Sequence, residues 1–312
     1  MKTKFLLLAT VLLSSSIFFT SCKKEKDSAL ETDYTAETAV HSDDQSRFSG
    51  EIDAVANDAD LALEVTSGFA GRMQTEDLSV ICDANIVIDT VSSPRTITIT
   101  YNGTNCPGTR TRTGVVVISM QSGIRWKNAG AVLNVSFQNF KVTRISDNKS
   151  ITINGTQSYT NVSGGLLVNL GTLGTITHAI TSSNMSVTFD DLSQRNWQLA
   201  RQRVFTYDNG VNITTTGTHT DGNVTGITEW GTNRFGNAFT TAIAEPLIVR
   251  QGCNFRLVSG KVQHKTSLYN AAVTFGLDAN GNATSCPGSG TYYLKIVWIG
   301  PLGNAHTSIH PY

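Results

Sequence analysis

Charge, proline and cysteine are all scarce in this 312-residue chain. Charged side chains make up 15% of the residues, and 24 lysines and arginines balance 24 acidic residues. A neutral chain lacks the basic surface that nucleic-acid binding requires, which argues against nucleic acid as a partner. The sequence also contains no nucleophile elbow, no P-loop and no dinucleotide-binding fingerprint. What is abundant, namely threonine, serine, asparagine and glycine, is typical of exported β-rich proteins.

Long apolar runs are scarce as well, and the clearest one lies at the N terminus. Phe5–Phe19 is apolar apart from small residues, two lysines precede it, and Thr20 and Ser21 lead into Cys22. A basic start, a short apolar segment and small residues before a cysteine are typical of a bacterial lipoprotein signal peptide. We therefore predict that residues 1–21 are removed and that Cys22 is acylated.

Two other interpretations of this N-terminal segment fit less well. A membrane-spanning helix needs about 20 mostly apolar residues, whereas this run is short and rich in serine. Cleavage at an ordinary signal-peptidase site would leave Cys22 as one more thiol. Phe19, where leucine is more usual, is the one departure from the lipoprotein pattern. Because each buried methylene contributes about 0.8 kcal/mol, several acyl chains would make the anchor effectively permanent.

Four cysteines remain once Cys22 is acylated, and an even number in an exported chain predicts two disulfides. Three pairings are open on sequence grounds. The pairs Cys82–Cys106 and Cys253–Cys286 are the most economical, because each would flank neighbouring strands. A metal site is the rival interpretation, but none of the four has a second cysteine or a histidine at ligand spacing.

The segment after the anchor divides into a tether and a helix. Residues 22–47 are polar and acidic with few large apolar groups, which predicts a flexible tether. Residues 48–77 carry apolar side chains at helical spacing, with Ser49 as a suitable N-cap and Gly68 and Gly71 as the expected end. We expect this helix to pack on the β domain or to cover its edge.

From residue 78 to residue 312 the apolar pattern has a period of two. Thr96–Tyr101 alternates apolar and polar residues, and a slip of the pattern near Gln138 and Asn139 predicts a β-bulge. Asn-Gly, Asp-Gly and Gly-Gly turn signals separate about a dozen such segments. The predicted fold is therefore all-β, a large antiparallel β-sandwich or meander with one short N-terminal helix.

One short pattern, Ile-x-x-x-Gly-Thr, occurs three times, with its glycine at Gly155, Gly217 and Gly231. The last two copies are separated by a hairpin-like distance. We interpret the pattern as successive meander strands that kink at a glycine, not as a solenoid repeat.

Two pairs of arginines are candidates for binding an anion or for pairing inside the protein. Arg110 and Arg112 would share one face of a strand beside a predicted disulfide, and their guanidinium groups could bind a carboxylate or sulfate. Pairing with carboxylates of the sheet is the alternative. Arg201 and Arg203 interrupt an apolar strand face, which indicates either a polar layer inside the fold or a sheet edge.

Two acidic motifs are candidates for carbohydrate chemistry. Glu229 and Trp230 place a carboxylate beside an aromatic ring, a combination that sugar-binding sites use, although a tryptophan in the core is the alternative. Asp190 and Asp191 could serve glycoside hydrolysis, but adjacent strand residues point to opposite faces, so a solvated turn is the better interpretation.

The histidines give no indication of a metal site. They lie at His178, His219, His264, His306 and His310 in the β domain, and no pair has a ligand spacing that indicates metal binding. We therefore expect neither a metal nor another cofactor.

Several β-domain segments resemble a family of uncharacterised lipoproteins of the Bacteroidota. The similarity runs through Thr96–Gly114, Phe137–Phe140, Ile153–Thr156 and Pro246–Cys253, and covers most of Leu78–Trp298. The resemblance implies an exported, lipid-anchored β protein. It carries no activity and no site residues, so nothing catalytic is transferred.

The sequence thus predicts a lipid-anchored outer-membrane lipoprotein, on the periplasmic face or the cell surface, with a non-enzymatic structural or partner-binding role. An envelope protein or a glycan is the expected partner. A surface glycan-binding module is the alternative function, which exposed aromatic residues such as Trp126, Trp230 or Tyr292 along one face would favour. A hydrolase comes last because the sequence offers no converging carboxylates. Trp230, Arg110 and Arg112 are the candidate ligand-binding residues.

Overall fold

The computed structural model describes residues 32–66, 69, 81–286, 290–300 and 302–312. The predicted signal peptide, the acylation site Cys22 and the predicted helix end at Gly68 and Gly71 lie outside the described residues. Most of the predicted tether and helix, the strands and all four predicted disulfide cysteines lie within them.

The described strands form one antiparallel sheet of fifteen strands. Their bounds are β1 Ala84–Asp89, β2 Arg95–Thr104, β3 Arg110–Met120, β4 Ala131–Arg144, β5 Ser150–Asn161, β6 Thr175–Phe189, β7 Gln194–Tyr207, β8 Val211–Gly217, β9 His219–Asp221, β10 Val224–Thr232, β11 Ala238–Arg250, β12 Arg256–Thr266, β13 Asn270–Leu277, β14 Tyr293–Ile299 and β15 Ala305–Pro311. The order β1 to β7 and then β10 to β15 follows the chain. This confirms the all-β class, in the form of a meander.

The meander has one break, between β7 and β11. Strand β8 pairs with the C-terminal ends of both β7 and β11, while β10 pairs with their N-terminal halves. The two strands therefore share one position in the sheet. The two strands meet where a Cβ on Gly217 would lie 2.0 Å from the carbonyl oxygen of Gly226. Strand β9 pairs with β10 alone, so β9 lies off the main path of the sheet while β10 lies on it.

A 31-residue helix, α1, spans Thr35–Val65, and one helical turn, α2, spans Leu170–Leu173. The carboxylate of Asp33 accepts the backbone N–H of Thr35 at 2.8 Å, which satisfies one of the donors left open at the helix start. Ser49 lies inside the helix and does not cap it. None of the helices in the described ranges is long and apolar enough to cross a membrane.

The prediction that the chain is a flexible tether as far as residue 47 is therefore wrong, as is the prediction of a short helix. The tether prediction relied on the polar composition of this segment, but many of these polar residues are buried rather than solvated. Thr38, His41 and Asp44 are each 1% exposed. Rings of the sheet pack against His41, and Arg234 of the β10–β11 turn pairs with Asp44. Tertiary contacts of this kind override local propensity.

The inner face of the sheet packs around α1 and forms the main core with it. Phe48, Ile52, Val55 and Leu63 of the helix are fully buried in this cluster. The contributing strands are β1 to β7 together with β11, and a second cluster packs residues of β11 to β14. Burying each large apolar side chain contributes about 1.5–3 kcal/mol, so this shared core fixes the helix in the sheet.

Salt bridges join α1 to the inner face along most of its length. The pairs that link the helix to sheet strands or their turns include Glu51–Arg110, Asp58–Arg112, Asp43–Arg144, Asp53–Arg201 and Asp44–Arg234. Burial raises the pKa of the Glu51, Asp58 and Asp44 carboxyls, although each has an arginine partner that lowers it. Acidic residues on several sides of one helix are thus matched by arginines from several strands.

Bulges and glycines let the sheet bend. The bulge predicted near Gln138 and Asn139 is confirmed, because the β4–β5 register shifts there and Asn139 has a φ of 50°. Gly155 and Gly231 have φ angles of 120° and 151°, and a Cβ on either would clash with the neighbouring strand. Two of the three Ile-x-x-x-Gly-Thr copies are therefore strands that kink at glycine, as predicted.

Both predicted disulfides are present, Cys82–Cys106 and Cys253–Cys286. The first closes the β1–β2 hairpin, and the second links the turn after β11 to the segment after β13. Each closes a loop of a few dozen residues, with sequence separations of 24 and 33. By the loop-entropy model each bridge stabilises the fold by about 3 kcal/mol.

Candidate ligand-binding groove

Arg110 and Arg112 lie on the inner face, where their guanidinium groups pair with carboxylates of the protein. Arg112 donates to both oxygens of Asp83 and, at 2.7 Å, to Asp58, and Arg110 donates to Glu51. Tyr101 adds a hydrogen bond to Asp58 and packs under the Arg112 guanidinium at 4.4 Å. This arrangement corresponds to the alternative in which these arginines pair inside the protein.

Arg201 and Arg203 form the polar layer that the sequence indicated. Their side chains are 1% and 2% exposed. Arg201 donates to Ser49 at 2.9 Å and to Asp53 at 3.3 Å, and Arg203 donates to Asn57 at 2.8 Å. Both arginines therefore hold β7 against α1 rather than lining a sheet edge.

Glu229 and Trp230 point to opposite faces of the sheet, as adjacent residues of a strand do. The Glu229 carboxylate faces α1, is fully buried, and accepts hydrogen bonds from Gln45 at 3.2 Å and from the indole of Trp197 at 2.9 Å. Burial raises its pKa. Trp230 lies on the outer face, so the predicted carboxylate–aromatic combination is not formed by these two residues.

Trp230 lies in a groove that the β9–β10 hairpin creates on the outer face. The imidazole of His219 on β9 stacks on the Trp230 indole, with 4.1 Å between ring centroids and 19° between the planes. The groove has a volume of about 240 Å³ and is lined by His219, Asp221, Trp230, Gly231, Ala238, Phe239 and Thr240. Strand β9 therefore places one of its side chains against the outer face of β10.

A second depression of about 590 Å³ lies on the other side of β10. It is lined by Ser186, Gln194, Arg195, Asn196, Thr232 and Gly236. The two depressions adjoin, because Thr232 of the second is the direct cross-strand partner of Ala238 of the first. We call the two together the outer groove. Its polar side chains are mostly amides and hydroxyls, which both donate and accept hydrogen bonds.

The one guanidinium group that lines the outer groove is already held by the backbone. Arg195 donates to the carbonyl oxygens of Asn233, Gln194 and Arg234, each at 3.0 Å. These bonds fix the side chain across the β10–β11 turn. They use three of its five N–H donors, which leaves fewer of them for an anion at this end of the groove.

Asp190 and Asp191 do not form a catalytic pair with one another. Asp190 forms a salt bridge with Arg234 at 2.9 Å. Asp191 accepts the backbone N–H of Ser193 at 2.9 Å, and its hydrogen bonds to Ser193 lower its pKa. Both carboxylates thus support the β6–β7 turn, which is the interpretation that the sequence favoured.

The buried histidines lie on the inner face. The His41 and His264 rings lie 4.8 Å apart, and burial lowers the pKa of His41 to about 4. His178 lies 3.7 Å from Asp60, and burial lowers the His178 pKa to about 3 while raising that of Asp60 to about 7. Across the part of the chain that the structure describes, no group of three or more His, Cys, Asp or Glu could hold a metal ion.

Sequence reasoning found one residue of the outer groove, Trp230, and missed the others. Trp126 and Tyr292, the other aromatic residues considered for a glycan-binding face, are buried at 1% and 0% exposure. The signal of the missed groove residues was present, since Gln194 and Asn196 occupy the polar positions of an alternating strand. What the sequence did not reveal is that β7 pairs with β10 across the intervening β8 and β9. In comparisons with known proteins, no family model, no curated protein and no solved structure matches this chain.

Proposed function

We propose that this chain is a lipid-anchored lipoprotein of the bacterial outer membrane with a non-enzymatic role, which binds a partner through the outer groove. The lipoprotein pattern that ends at Cys22 supports the anchor, and the two disulfides support an oxidising compartment outside the cytoplasm. Membership of the Bacteroidota lipoprotein family belongs to the same proposal and rests on the sequence motifs alone.

The observation that carries the binding role is the break in the meander. A meander needs only short turns, yet β9 lies off the main strand order, pairs with β10 alone and places His219 against Trp230. The result is a concave surface with an aromatic pair and several polar side chains on an otherwise regular face. Concave sites of this composition are typical of ligand binding.

The distribution of carboxylates favours binding over hydrolysis. Glycoside hydrolysis by the usual mechanism needs two carboxyl groups on either side of the bond that is cleaved. Asp221 is the one carboxylate among the described residues that line the outer groove. Glu229, the nearest acid along the strand, faces the helix on the opposite side of the sheet.

The anchor is tested by replacing the acylated residue. We expect Cys22→Ala to move the protein from the membrane fraction to the soluble fraction, and protease treatment of intact cells to separate surface display from a periplasmic position. Continued membrane association of Cys22→Ala would contradict the proposed anchor.

The binding role is tested by photo-crosslinking in living cells. A photoreactive amino acid at Asn196, which is exposed in the outer groove, is compared with one at Lys141, which is exposed elsewhere on the outer face. We expect a higher-mass adduct from position 196 and none from position 141. Adducts from both positions, or from neither, would contradict a partner site at the groove.

A further inference from the structure

We propose that the partner bound in the outer groove is a neutral carbohydrate chain. This inference rests on the proposed function, since it assigns a ligand class to the same surface. It is carried by the kind of side chains that line the groove, by the position of the groove on a sheet face, and by its dimensions.

The aromatic pair supplies a surface for the apolar face of a sugar ring. Trp230 is partly buried and its stack with His219 fixes the orientation of the indole. A rigid, amphipathic ring offers contact area at a low entropic cost. A pyranose ring has a face of C–H groups that can pack on an indole, while its hydroxyls point sideways toward polar neighbours.

The polar lining matches hydroxyl groups better than ionic groups. Ser186, Gln194, Asn196, Thr232 and Thr240 carry side chains that can each donate and accept a hydrogen bond, as sugar hydroxyls do. The one carboxylate, Asp221, can accept from two adjacent hydroxyls and disfavours an anionic ligand. Three of the five Arg195 N–H donors are held by backbone carbonyls, so the one guanidinium group of the groove has only two donors left for a sulfate or carboxylate.

The position of the groove argues against an extended peptide as the ligand. Peptides that add to a sheet bind its edge, where backbone N–H and C=O groups are unpaired. The groove lies on the face of β6, β7, β10 and β11, whose backbone groups pair within the sheet. Recognition must therefore come from side chains, which is how carbohydrates are bound.

The dimensions leave room for more than one sugar unit. The depression beside Trp230, at about 240 Å³, is smaller than the roughly 300–1,000 Å³ of pockets for drug-sized ligands and suits one ring. The adjoining depression beyond Thr232 is larger, at about 590 Å³. One sugar unit on the indole with its neighbours across β10 and β7 would use both depressions.

The test is affinity electrophoresis of the detergent-solubilised mature protein. Native gels contain one neutral polysaccharide each, namely a glucan, a mannan, a galactan, a xylan or an arabinan, and heparin serves as the anionic comparison. We expect slower migration in at least one neutral polysaccharide and none in heparin. Trp230→Ala should weaken that binding at least ten-fold, the effect expected of an aromatic residue that anchors a ligand.

Two further variants separate loss of the site from loss of the fold. Tyr207→Ala removes an aromatic side chain that is 57% exposed at the other end of β7, and should bind like the wild type. Asp221→Ala, an exposed hairpin position, should weaken binding while leaving the unfolding transition unchanged.

Three results would overturn the carbohydrate assignment. The first is that no neutral polysaccharide slows the wild-type protein. The second is that the wild type and Trp230→Ala are slowed equally, and the third is that the protein binds heparin alone. If any of these is found while the position-196 crosslink persists, the ligand class is wrong and the proposed binding role stands. If the crosslink is also absent, the proposed function fails as well.

Discussion

The two faces of this sheet use polar residues in opposite ways. On the inner face most charged side chains are buried or half-buried and pair with α1, as Arg112 does with Asp58; Asp83, which lies just before β1, completes that pair. In the outer groove the polar side chains are amides and hydroxyls at or near the surface, grouped around Trp230. Buried charged side chains thus stabilise the fold of this molecule, while the surface of uncharged polar side chains is the better candidate for function.

The largest effect is expected from breaking an inner-face ion pair. Arg112→Ala leaves two buried carboxylates, Asp83 and Asp58, without their main partner, which should lower the free energy of unfolding by about 3–5 kcal/mol. Arg195→Ala, the matched change in the outer groove, should cost less than about 1 kcal/mol. Urea unfolding monitored by circular dichroism measures both, and equal losses would contradict the contrast between the faces.

A smaller loss in the free energy of unfolding is expected when the disulfides are removed. Replacing Cys82 and Cys106 by serine releases a constraint on the unfolded chain and should cost about 3 kcal/mol. The same change at Cys253 and Cys286 should have a similar effect. Thermal unfolding of both double variants is the measurement. Four free thiols in the denatured, unreduced wild-type protein would refute both bridges.

The inner face should also make stability depend on pH. Burial lowers the pKa of His41 from 6.5 to about 4, so between these values the unfolded chain binds a proton that the folded protein does not. The free energy of unfolding should therefore fall as the pH drops from about 6.5 to about 4, by on the order of 2–3 kcal/mol for this residue. We expect His41→Phe to remove that part of the dependence, as measured by urea unfolding at several pH values.

Asp60 should contribute the opposite slope and so serves as the control. Burial raises its pKa from 3.8 to about 7, so the folded protein holds a proton that the unfolded chain has lost. Its contribution to stability is present below about pH 4 and is lost as the pH rises to about 7. Asp60→Asn should therefore reduce the loss of stability toward neutral pH. Unchanged pH profiles for both variants would show that neither group titrates as its burial requires.

The smallest effect on stability is expected in the outer groove. Trp230→Ala removes a surface stack with His219 and should lower the free energy of unfolding by only about 1 kcal/mol. Its effect on carbohydrate binding should be the larger one. Differential scanning calorimetry beside the gel assay measures both, and a collapse of the fold would place Trp230 with the inner-face residues instead.

Much of the sheet could be predicted because period-two patterns depend only on neighbouring residues. The alternation at Thr96–Tyr101, the slip near Asn139 and the glycine kink at Gly155 all have local causes, and each is found in the structure. The disulfide pairing followed from the same reasoning, since each pair flanks adjacent strands.

The helix start and the groove could not be predicted, because both depend on distant partners. Asp43 and Asp44 resemble tether residues until Arg144 and Arg234 are placed beside them, 101 and 190 residues further along the chain. The groove depends on β10 returning to β7 after two intervening strands. Composition and periodicity carry no information about such pairings.

The central claim is that α1 completes the inner face and leaves the outer face for binding. Hydrogen exchange of the mature protein, followed peptide by peptide, tests it most directly. The account predicts that residues 35–47 exchange as slowly as the central strand β5, because they are helical and packed in the same unit. If residues 35–47 exchanged at the rate of an unstructured chain while β5 stayed protected, the account would be contradicted, and the prediction of a flexible tether would be correct for these residues.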